Sequence, residues 1–572
     1  MHSFNELKKL AKNPVAGKKI TVAVMADSST QFLATALKGT GVAQNANYEI
    51  WEADYNQIDR QVFDPGSEFY QSESAYAVVL RSSEHLLDEF YKTPVSERQG
   101  FANTQLEYLA SLIQQIGSRS KCKIITNTYF EINDSVFGNY ANKVPASFIY
   151  QVRKLNLGLM DLAQQNKNLF LLDLASLIGQ KGYSSCFDPK LYINAEMVYN
   201  LDVLPDIAFN IHAVIQSING QFKKCLILDL DNTTWGGIIG DDGVGGIKVG
   251  HLGIGQAFSN LQQWAKELKN RGIILAVCSK NTESIAKEPF EQHPDMVLRL
   301  DDIAIFVANW ENKVDNIKYI QSILNIGFDS MVFLDDNPFE REMVKSGVPG
   351  LTVPDLPEDP VDYLPYLRTL NLFETASYTE EDSERTKQYQ EEAKRTIVQK
   401  SFANEDDFLQ SLDMTSEVKP FDTFSIPRVA QLSQRSNQFN LRTVRYTEED
   451  VVKVAADKNS YTLSFTLKDK FGDNGLISLI ILHKKEDALF IDTWIMSCRV
   501  LKRGMENFVL NTIVDLAREN GFKKIIGEYI PTAKNAMVKE HYPNLGFSEA
   551  GDLFELDVAP YKDRKSFIKK SV

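Results

Sequence analysis

An apolar run, Cys225–Leu228, is followed directly by the aspartates Asp229 and Asp231. A short run without polar residues is typical of a strand that is buried on both faces of a parallel sheet. In open α/β sheets, ligands bind at the carboxyl ends of such strands. The run therefore predicts a buried strand that carries two carboxylates into a ligand site.

The spacing of the two aspartates suits phosphoryl-group chemistry. Asp229 can attack phosphorus or ligate a hard cation, Asp231 can move a proton, and Thr233 can hold the turn. Aspartates at strand ends also form ordinary turns that carry no chemistry. The motif alone leaves both interpretations open.

The rest of the chain divides into four segments. Its 572 residues are enough for roughly three or four domains of about 150 residues each. Residues 1–220 and 221–370 each alternate strand-like runs with helical patterns, which predicts parallel sheets. The charged residues within 371–408 predict a solvated helical linker. Residues 409–572 predict an α+β domain, because adjacent antiparallel strands precede a helix and a further strand.

Charge and composition limit the class of partner. The chain has 62 Lys and Arg against 76 Asp and Glu, a net charge of −14, which argues against nucleic acid and anionic membranes. An anionic substrate therefore needs a locally basic pocket. No apolar stretch approaches the ~18 residues of a membrane span, and the first residues lack the apolar core of a signal peptide. Five scattered cysteines form no disulfide framework, so the sequence predicts a cytoplasmic protein.

Two further sites in residues 221–370 carry groups that bind phosphate. Ser279 and Lys280 follow the predicted strand Ile273–Cys278, where a hydroxyl at a strand end can bind a phosphoryl oxygen. Lys313 begins a predicted helix and can neutralise charge that develops on phosphorus. Taken singly, Ser279 is typical of a helix cap and Lys313 of a surface lysine.

A third site follows the predicted strand Met331–Leu334 and consists of Asp335 and Asp336. Hard oxygen ligands there, together with the first motif, would form a Mg²⁺ site that keeps some waters. As isolated residues they also suit a turn, but four such sites in this order favour catalysis. The predicted phosphate ligands are Thr233, Ser279, Lys280 and Lys313. The predicted metal ligands are Asp229, Asp231, Asp335 and Asp336.

The same residues resemble the four motifs of the haloacid-dehalogenase (HAD) superfamily, namely Asp229-x-Asp231-x-Thr233, Ser279, Lys313 and Asp335-Asp336. The resemblance implies a Rossmann-like core, Mg²⁺, an aspartyl nucleophile at Asp229 and an acid/base at Asp231. Dehalogenating members usually lack the second aspartate. Asp231 therefore points to phosphoryl transfer.

Longer motifs resemble the FkbH-like family over most of residues 221–546. They are Asp-Leu-Asp-Asn-Thr-x-Trp-Gly-Gly, Cys-Ser-Lys-Asn, Phe-Leu-Asp-Asp-Asn-Pro-x-Glu-Arg-Glu, Asn437-Gln-Phe-Asn440-Leu, Phe471-Gly-Asp-Asn-Gly475 and Ser497-Cys-Arg-Val500. Thr234 stands where Leu is usual. The resemblance implies a biosynthetic enzyme that dephosphorylates an acyl phosphate such as 1,3-bisphosphoglycerate. The enzyme would transfer the acyl (glyceryl) group to the thiol of an acyl carrier protein.

The sequence bears on that reaction in two further ways. The gaps between the motifs are too short for a large cap domain, so the site would be open to a macromolecule or to another domain of the chain. Cys278 directly precedes Ser279, and a thiol beside a phosphate site can accept an acyl group as a thioester. Alternatively, Cys278 is a small residue that is buried in the core and has no catalytic role. Because strand side chains alternate, the two residues should face opposite ways.

Residues 409–572 resemble the GNAT acyltransferase fold. The place of the pyrophosphate loop reads Arg499-Val-Leu-Lys502-Arg503-Gly504, with Lys replacing one glycine. The resemblance implies CoA or phosphopantetheine as a further ligand there, since basic residues at a helix N-terminus suit an anion. Tyr542 occupies the position of a general acid, or is simply a packed aromatic residue.

Residues 1–220 resemble a flavodoxin-like SGNH hydrolase domain. Ala26-Asp27-Ser28-Ser29 resembles the opening motif, with Ser28 as nucleophile, and Asn127 is a candidate oxyanion donor. The expected Asp-x-x-His is missing, and the nearest candidates are Asp206 and His212. The incomplete triad favours a degenerate, carrier-docking or scaffolding domain over an active hydrolase.

Three functions remain open from the sequence. The leading one is the FkbH-like acyl transfer, with Asp229, Asp231, Cys278 and Lys313 as catalytic residues. The second is a plain phosphatase acting on a small phosphorylated metabolite, which needs no carrier. The third is a non-enzymatic assembly protein of a biosynthetic cluster. The intact motifs argue against this third function.

Overall fold

The computed structural model describes residues 2–13, 15–379, 385–399, 402, 404–497, 500–501, 503–532 and 534–571. The chain forms two compact units, Met1–Ser217 and Ile218–Val572. Each unit has hydrophobic cores of its own. No helix among the described residues is long and apolar enough to cross a membrane.

The first unit is built on a parallel sheet with the strand order β2-β1-β3-β4-β5. Its strands are β1 (Lys19–Ala26), β2 (Asn47–Glu52), β3 (Tyr76–Leu80), β4 (Lys123–Asn127) and β5 (Leu169–Leu172). Sequence patterns predict four of them, at Ile20–Met25, Ala77–Leu80, Lys123–Thr126 and Leu169–Leu172. They do not predict β2, whose residues are mostly half-buried and mixed in polarity. The buried strand β3 is typical of a parallel-sheet centre.

The helices of this unit follow the strands in the expected alternation. They are α1 (Phe4–Leu10), α2 (Gln31–Ala43), α3 (Ile58–Phe63), α4 (Glu68–Gln71), α5 (Ser83–Lys92), α6 (Phe101–Arg119), α7 (Phe148–Gln165), α8 (Leu174–Lys181), α9 (Tyr183–Cys186), α10 (Pro189–Ala195) and α11 (Leu204–Ile218). The side chains of α6 and α7 that point inward pack on the sheet in one core.

The second unit begins with a parallel sheet of strand order β8-β7-β6-β9. Its strands are β6 (Cys225–Leu228), β7 (Ile274–Ser279), β8 (Ile305–Ala308) and β9 (Met331–Leu334). Its helices are α12 (Ile239–Asp242), α13 (Ile254–Asn270), α14 (Glu283–Gln292), α15 (Lys313–Leu324), α16 (Pro338–Gly347) and α17 (Tyr363–Thr369). The sequence patterns did not reveal β8, which is short and ends the sheet.

Side chains of this sheet alternate between two cores. Leu226 and Leu228 face the core that contains α13, whereas Cys225 and Ile227 face the core that contains α15. Both faces of the sheet are therefore covered, which explains why β6 reads as a continuous apolar run.

The second unit continues with a mixed sheet of strand order β15-β16-β14-β13-β12-β11-β10-β17. Its strands are β10 (Thr415–Lys419), β11 (Ser460–Asp469), β12 (Gly472–Lys485), β13 (Ala488–Met496), β14 (Lys524–Glu528), β15 (Ser548–Ala550), β16 (Leu553–Asp557) and β17 (Lys569–Ser571). Strands β13 and β14 pair in parallel only over Ala488–Phe490, so their later residues separate. The predicted fold class is confirmed: α/β sheets precede an α+β part.

The helices of this part are α18 (Arg385–Gln399), α19 (Glu405–Ser411), α20 (Ile426–Arg435), α21 (Glu448–Ala456), α22 (Met505–Glu519) and α23 (His541–Asn544). The sequence pattern predicts a single helix over Asn535–Tyr542. The structure has instead a 3₁₀ turn, Ala536–Val538, followed by the short α23.

The charged linker helix differs from the prediction of a solvated helix. In α18, Tyr389 and Arg395 are buried. The Arg395 guanidinium lies 2.8 Å from Asp469 on β11. The helix is therefore bound to the mixed sheet through a buried ion pair, a contact that only the tertiary structure reveals.

Candidate active site

Two neighbouring strands bring the first and last acidic motifs together. Strands β6 and β9 are paired in parallel with Leu228 opposite Leu334, so Asp229 and Asp335 leave the sheet side by side. Among the described residues, Asp229, Asp335 and Asp336 form a group whose ligand oxygens lie within 4.8 Å of one another. The structure thus brings three of the four predicted metal ligands together.

Lys313 completes this cluster from the N-terminus of α15. Its Nζ donates to Oδ2 of Asp335 at 2.6 Å and lies 3.0 Å from Oδ2 of Asp229. The lysine is only 3% exposed, so the charges meet in a nearly water-free environment. One ammonium group therefore holds two carboxylates that would otherwise repel each other.

Burial and charge shift the pKa values of these groups. Burial and the nearby Asp229 raise the pKa of Asp335 to about 6. Burial also raises the pKa of Asp229, and Lys313 is the strongest influence in the opposite direction. Burial alone would lower the pKa of Lys313, but the two carboxylates outweigh it and raise that pKa above its ordinary value.

The donor set of this cluster fits a hard divalent cation. Oδ1 of Asp229 is buried and has no hydrogen-bond partner within the described part of the chain. An orphaned carboxylate oxygen beside two further carboxylates is the arrangement that Mg²⁺ or a similar oxygen-seeking ion satisfies. Asp229, Asp335 and Asp336 are the residues that would hold it.

Asp231 is oriented separately and does not join the metal cluster through its carboxylate. Its Oδ1 accepts from Trp235 Nε1 at 2.9 Å and from the Ile239 N–H at 3.0 Å. Its Oδ2 accepts from Asn281 Nδ2 at 2.9 Å. Three donors thus set the direction of a partly exposed carboxylate at the same sheet edge.

Thr233 holds the loops together. Its hydroxyl donates to Asp336 Oδ1 at 3.2 Å and accepts from the Asp336 N–H at 2.9 Å, and the residue is fully buried. Both hydrogen-bonding directions are therefore used by protein rather than by a phosphate. Thr234 donates to the backbone carbonyl of Asp229 at 2.6 Å, which further holds this turn.

Ser279 and Lys280 lie at the site, with different surroundings. The Ser279 hydroxyl is close enough to Asp229 to lower its pKa, and it ends β7 at the same edge. Lys280 Nζ donates to Glu340 Oε1 at 2.6 Å. The lysine is thus paired with a residue of α16, whereas Ser279 lies beside the Asp229 carboxylate.

Cys278 is the predicted catalytic residue that the structure does not bring to the site. Its side chain is wholly buried in the core on the other face of the sheet, against α15. Its Sγ contacts the Lys313 carbonyl at 3.9 Å, and burial raises the pKa of the thiol. The alternation along β7 explains this: Ser279 faces the site, so Cys278 cannot.

Known proteins include clear relatives of the chain. The family described as FkbH, N-terminal domain, matches residues 21–216. The crystal structure of the N-terminal part of the protein BF1531 from Bacteroides fragilis, containing a phosphatase domain complexed with Mg, is 52% identical, with a TM-score of 0.63. The similarity covers 66% of this chain and 100% of that one. The chain belongs to the FkbH-like family of the HAD superfamily.

Two acetyltransferase structures are similar to smaller parts of this FkbH-like protein. The ribosomal-protein-S18-alanine N-acetyltransferase from Escherichia coli is 15% identical, covering 26% of this chain and 99% of that one, with a TM-score of 0.21. Mutant forms of the spermidine/spermine N-acetyltransferase SpeG from Vibrio cholerae are 16% identical, with a TM-score of 0.21. The similarity covers 26% of this chain and 96% of that one. No protein with a curated description matches the chain.

The structure does not assemble the predicted triad in the first unit of the FkbH-like chain. Ser28 is 7% exposed and borders a cavity of about 10 Å³. Asn127 Nδ2 donates to the carbonyls of Arg81 and Thr128 at 3.0 Å, so its amide holds backbone instead of an oxyanion.

The candidate acid and base of that triad are also engaged elsewhere. His212 Nδ1 lies 2.8 Å from the Tyr48 hydroxyl, and burial lowers its pKa to about 4. Asp206 pairs with Lys181 at 2.9 Å. The two residues stabilise α11 and its surroundings, and sequence spacing could not distinguish this from catalysis.

The predicted pyrophosphate loop, residues 499–504, lies only partly within the described residues. Arg499 and Lys502 lie outside the described residues. Arg503 is buried and pairs with Glu392 and with Asp469, so these two carboxylates already balance its positive charge. Gly504 has a φ of +74° and precedes α22 as its N-cap.

Tyr542 is a packed aromatic residue. It is fully buried, stacks on Phe554, and would clash with any side chain added at Gly527. Its neighbour His541 borders a cavity of about 740 Å³ beside the start of α22. The contact with Gly527 shows that this glycine is needed for the close approach of the ring.

Several residues that shape the phosphoryl site escaped sequence reasoning. Trp235 and Asn281 donate to Asp231, and Arg341 donates to the carbonyls of Asp335 and Asp336 at 2.8 and 2.6 Å. Trp235 and Asn281 stand inside the motifs already noted, which was the available signal. Arg341 stands one turn into α16 within the motif Phe-Leu-Asp-Asp-Asn-Pro-x-Glu-Arg-Glu, but the motif does not show which carbonyls its side chain meets.

Proposed function

We propose that this FkbH-like protein removes phosphate from a phosphorylated small molecule in a Mg²⁺-dependent reaction. The observation that carries the proposal is the buried Asp229 oxygen without a partner, beside Lys313 and two further carboxylates. Mg²⁺ held by Asp229, Asp335 and Asp336 would supply positive charge for phosphoryl oxygens.

Each residue of the site has a separate role in the proposed reaction. Asp229 attacks phosphorus, the bond from phosphorus to the leaving oxygen breaks, and Asp231 gives that oxygen a proton. Water then attacks the phospho-aspartate, Asp231 takes a proton back, and Asp229 is released with inorganic phosphate. Lys313 offsets the negative charge of the carboxylates, and Ser279 offers its hydroxyl to a phosphoryl oxygen.

For the substrate we propose an acyl phosphate such as 1,3-bisphosphoglycerate, with a carrier protein as acyl acceptor. Attack by Asp229 on an acyl phosphate releases a carboxylate, which cannot form a thioester. Acyl transfer therefore requires a thiol to attack the carbonyl carbon and to displace phosphate. Because Cys278 lies in the core, we assign that thiol to the carrier. Asp229 would then remove the second phosphate, which is an ester.

The open form of the site supports a substrate delivered by a macromolecule. Between β6 and β7 the described chain contains only the four-residue α12 and the core helix α13. No cap domain is present in the described residues 229–330, and the Asp231 side chain is partly exposed. A carrier arm needs such access.

CoA or phosphopantetheine stays a proposal for the cavity of about 740 Å³. Its size is within the range of ligand pockets, and Leu501, Asn507 and His541 are among its lining residues. Because Arg503 already forms ion pairs with Glu392 and Asp469, binding of CoA or phosphopantetheine there would depend on the other lining groups.

The test uses the full chain with Mg²⁺ and acetyl phosphate or p-nitrophenyl phosphate, and measures released phosphate. We expect Asp229→Asn to lower the rate about 10³-fold or more. The matched control is Asp355→Asn, because Asp355 lies in the same unit but its side chain is 70% exposed. An Asp229→Asn variant that keeps the rate of the control contradicts the proposal.

A second measurement separates the finer alternatives. With a carrier protein and an acyl phosphate, a hydroxylamine-labile mass increase on the carrier supports acyl transfer. Phosphate release without that adduct favours a phosphatase of small metabolites. Absence of turnover with all tested phosphates favours a non-enzymatic assembly protein.

A further inference from the structure

The first unit has a strand order in which open α/β sheets bind ligands at one edge. The strand order 2-1-3-4-5 reverses direction between β1 and β3, and ligands bind at the carboxyl ends beside such a reversal. Asp27 follows β1 at this point, and Ser82 follows β3. Asn127 bonds the backbone of Arg81, the residue directly before Ser82, and His212 lies against the Tyr48 hydroxyl.

A serine, a histidine and a glutamate are aligned there. The Ser82 Oγ lies 2.8 Å from His85 Nδ1. The other ring nitrogen, Nε2, lies 3.5 Å from Oε2 of Glu196. With the ring proton on Nε2, His85 can accept the hydroxyl proton of Ser82 while it faces a carboxylate. These relations are those of a nucleophile, a base and a group that orients the base.

Further contacts hold the imidazole and the serine in place. Asp27 accepts the Ser82 N–H with both oxygens, at 2.9 and 3.1 Å, and its Oδ1 lies 3.8 Å from His85 Nδ1. Tyr192 packs edge-on against the His85 ring with centroids 5.6 Å apart. The His85 side chain is 21% exposed and that of Glu196 46%, whereas Ser82 is 2% exposed, so solvent reaches the base and the glutamate more than the serine.

Glu196 is the C-cap of α10 and has the left-handed φ of +52° that is common at helix ends. Its carbonyl accepts the Ser29 N–H at 2.9 Å. Its carboxylate faces the His85 ring, with Oε2 3.5 Å from Nε2.

We propose that Ser82, His85 and Glu196 form a second catalytic site, which cleaves carboxylic esters or thioesters. Ser82 is the nucleophile, His85 is the general base, and Glu196 and Asp27 are positioning residues. Ser82 stands between a strand and a helix, and the N–H of the next residue, Ser83, lies at the start of α5. A backbone N–H in that position suits the oxyanion of an acyl intermediate.

The chemical steps balance with water as the only co-substrate. Ser82 Oγ forms a bond to the acyl carbon and its proton moves to His85 Nδ1. The carbon–oxygen or carbon–sulfur bond of the substrate breaks, and His85 returns the proton to the leaving group. Water then attacks the acyl-serine, His85 takes its proton, and the carboxylic acid leaves as Ser82 regains hydrogen.

The competing explanation is that Ser82 only caps α5. Its hydroxyl accepts the backbone N–H of His85 at 3.2 Å, which is ordinary N-cap geometry. Ser147 offers a matched comparison, because it caps α7 through the Tyr150 N–H at 3.3 Å and is equally buried. Ser147 has no histidine among its hydrogen-bond partners in the described structure, so the pair separates capping from catalysis.

The experiment treats the full chain with a fluorophosphonate, which reacts with activated serines, and maps the label by peptide mass spectrometry. Hydrolysis of p-nitrophenyl acetate is measured in parallel. We expect the label on Ser82 and a loss of hydrolysis of about 10³-fold in Ser82→Asn, which keeps the cap without the nucleophile. Ser147→Asn should keep both labelling and hydrolysis.

His85→Gln should abolish labelling with the fold retained by circular dichroism. Glu196→Gln should lower kcat with little change in KM, and Glu196→Asp should restore part of the rate, which a purely structural role would not produce. Label on Ser28 or on no serine overturns the proposal, as does hydrolysis that persists in Ser82→Asn.

Discussion

Lys313 Nζ lies 2.6 Å from Oδ2 of Asp335, and the same ammonium reaches Asp229 at 3.0 Å. A single buried lysine thus links the end of one strand to the end of its neighbour. Without it, two carboxylates would be left close together in a low-dielectric environment. The stability of the phosphoryl site therefore depends on Lys313 until a metal ion is bound.

Replacing this lysine should destabilise the metal-free protein. Lys313→Met leaves buried charges without their partner, which costs about 3–5 kcal/mol in comparable sites. Urea unfolding in the presence of a chelator measures the loss. Mg²⁺ should restore part of the stability, because a cation among the same carboxylates replaces the missing charge.

The control for Lys313→Met is Lys345→Met in the same unit. Lys345 pairs with Asp355 at 2.5 Å, but the Asp355 side chain is 70% exposed. Exposed pairs contribute about 0–1 kcal/mol, so this variant should unfold near the wild-type midpoint. Equal losses for the two variants would contradict the proposed role of Lys313.

Glu84 should make the stability of the first unit depend on pH. Burial, with smaller contributions from Asp27 and Asp88, raises the pKa of Glu84 from 4.5 to about 8. Between these values the folded state keeps the proton and the unfolded state loses it. The folded state therefore binds more protons, and this group makes stability fall as pH rises from about 4.5 to about 8.

Glu84→Gln removes that dependence. The variant should gain stability relative to the wild type as pH rises from about 5 to about 8, in urea unfolding followed at each pH. Glu68→Gln is the control, since Glu68 is exposed and should show no such trend. A Glu84→Gln difference that stays constant over this range would show that the carboxyl is already ionised in the folded state.

Cys278 should be dispensable for chemistry. Cys278→Ala should retain phosphate release and any acyl adduct on a carrier, because the thiol faces the core and not the site. A loss of about 1 kcal/mol in stability is expected for a change in a packed core. Loss of the adduct in a variant that remains folded would restore the thioester role.

Arg503 should act on stability through its ion pairs. It forms a buried cluster with Glu392, Arg395 and Asp469, in which the Arg503–Asp469 distance is 3.1 Å. Arg503→Met should cost about 3–5 kcal/mol in thermal or urea unfolding. Lys565→Met should change little, because its pair with Asp406 is largely exposed. Similar effects in both variants would argue against a buried cluster.

Local patterns predicted most of the secondary structure that positions the phosphoryl site. The strands that carry Asp229 and Asp335 are continuous apolar runs, and their ends agree with the structure. Strands β2 and β8 escaped detection because the first is mixed in polarity and the second is short. The charges of α18 predict a solvated helix, because sequence alone does not show which distant carboxylate meets Arg395.

Which chemical groups reach the strand ends is already visible in the sequence, because an apolar run is followed directly by Asp229-x-Asp231. How those groups are used depends on the packing of the folded chain. Lys313 pairs with two carboxylates, Cys278 turns into the core, and His85 rather than His212 meets a serine. These outcomes depend on which remote elements pack together, and contacts between remote elements leave no local pattern in the chain.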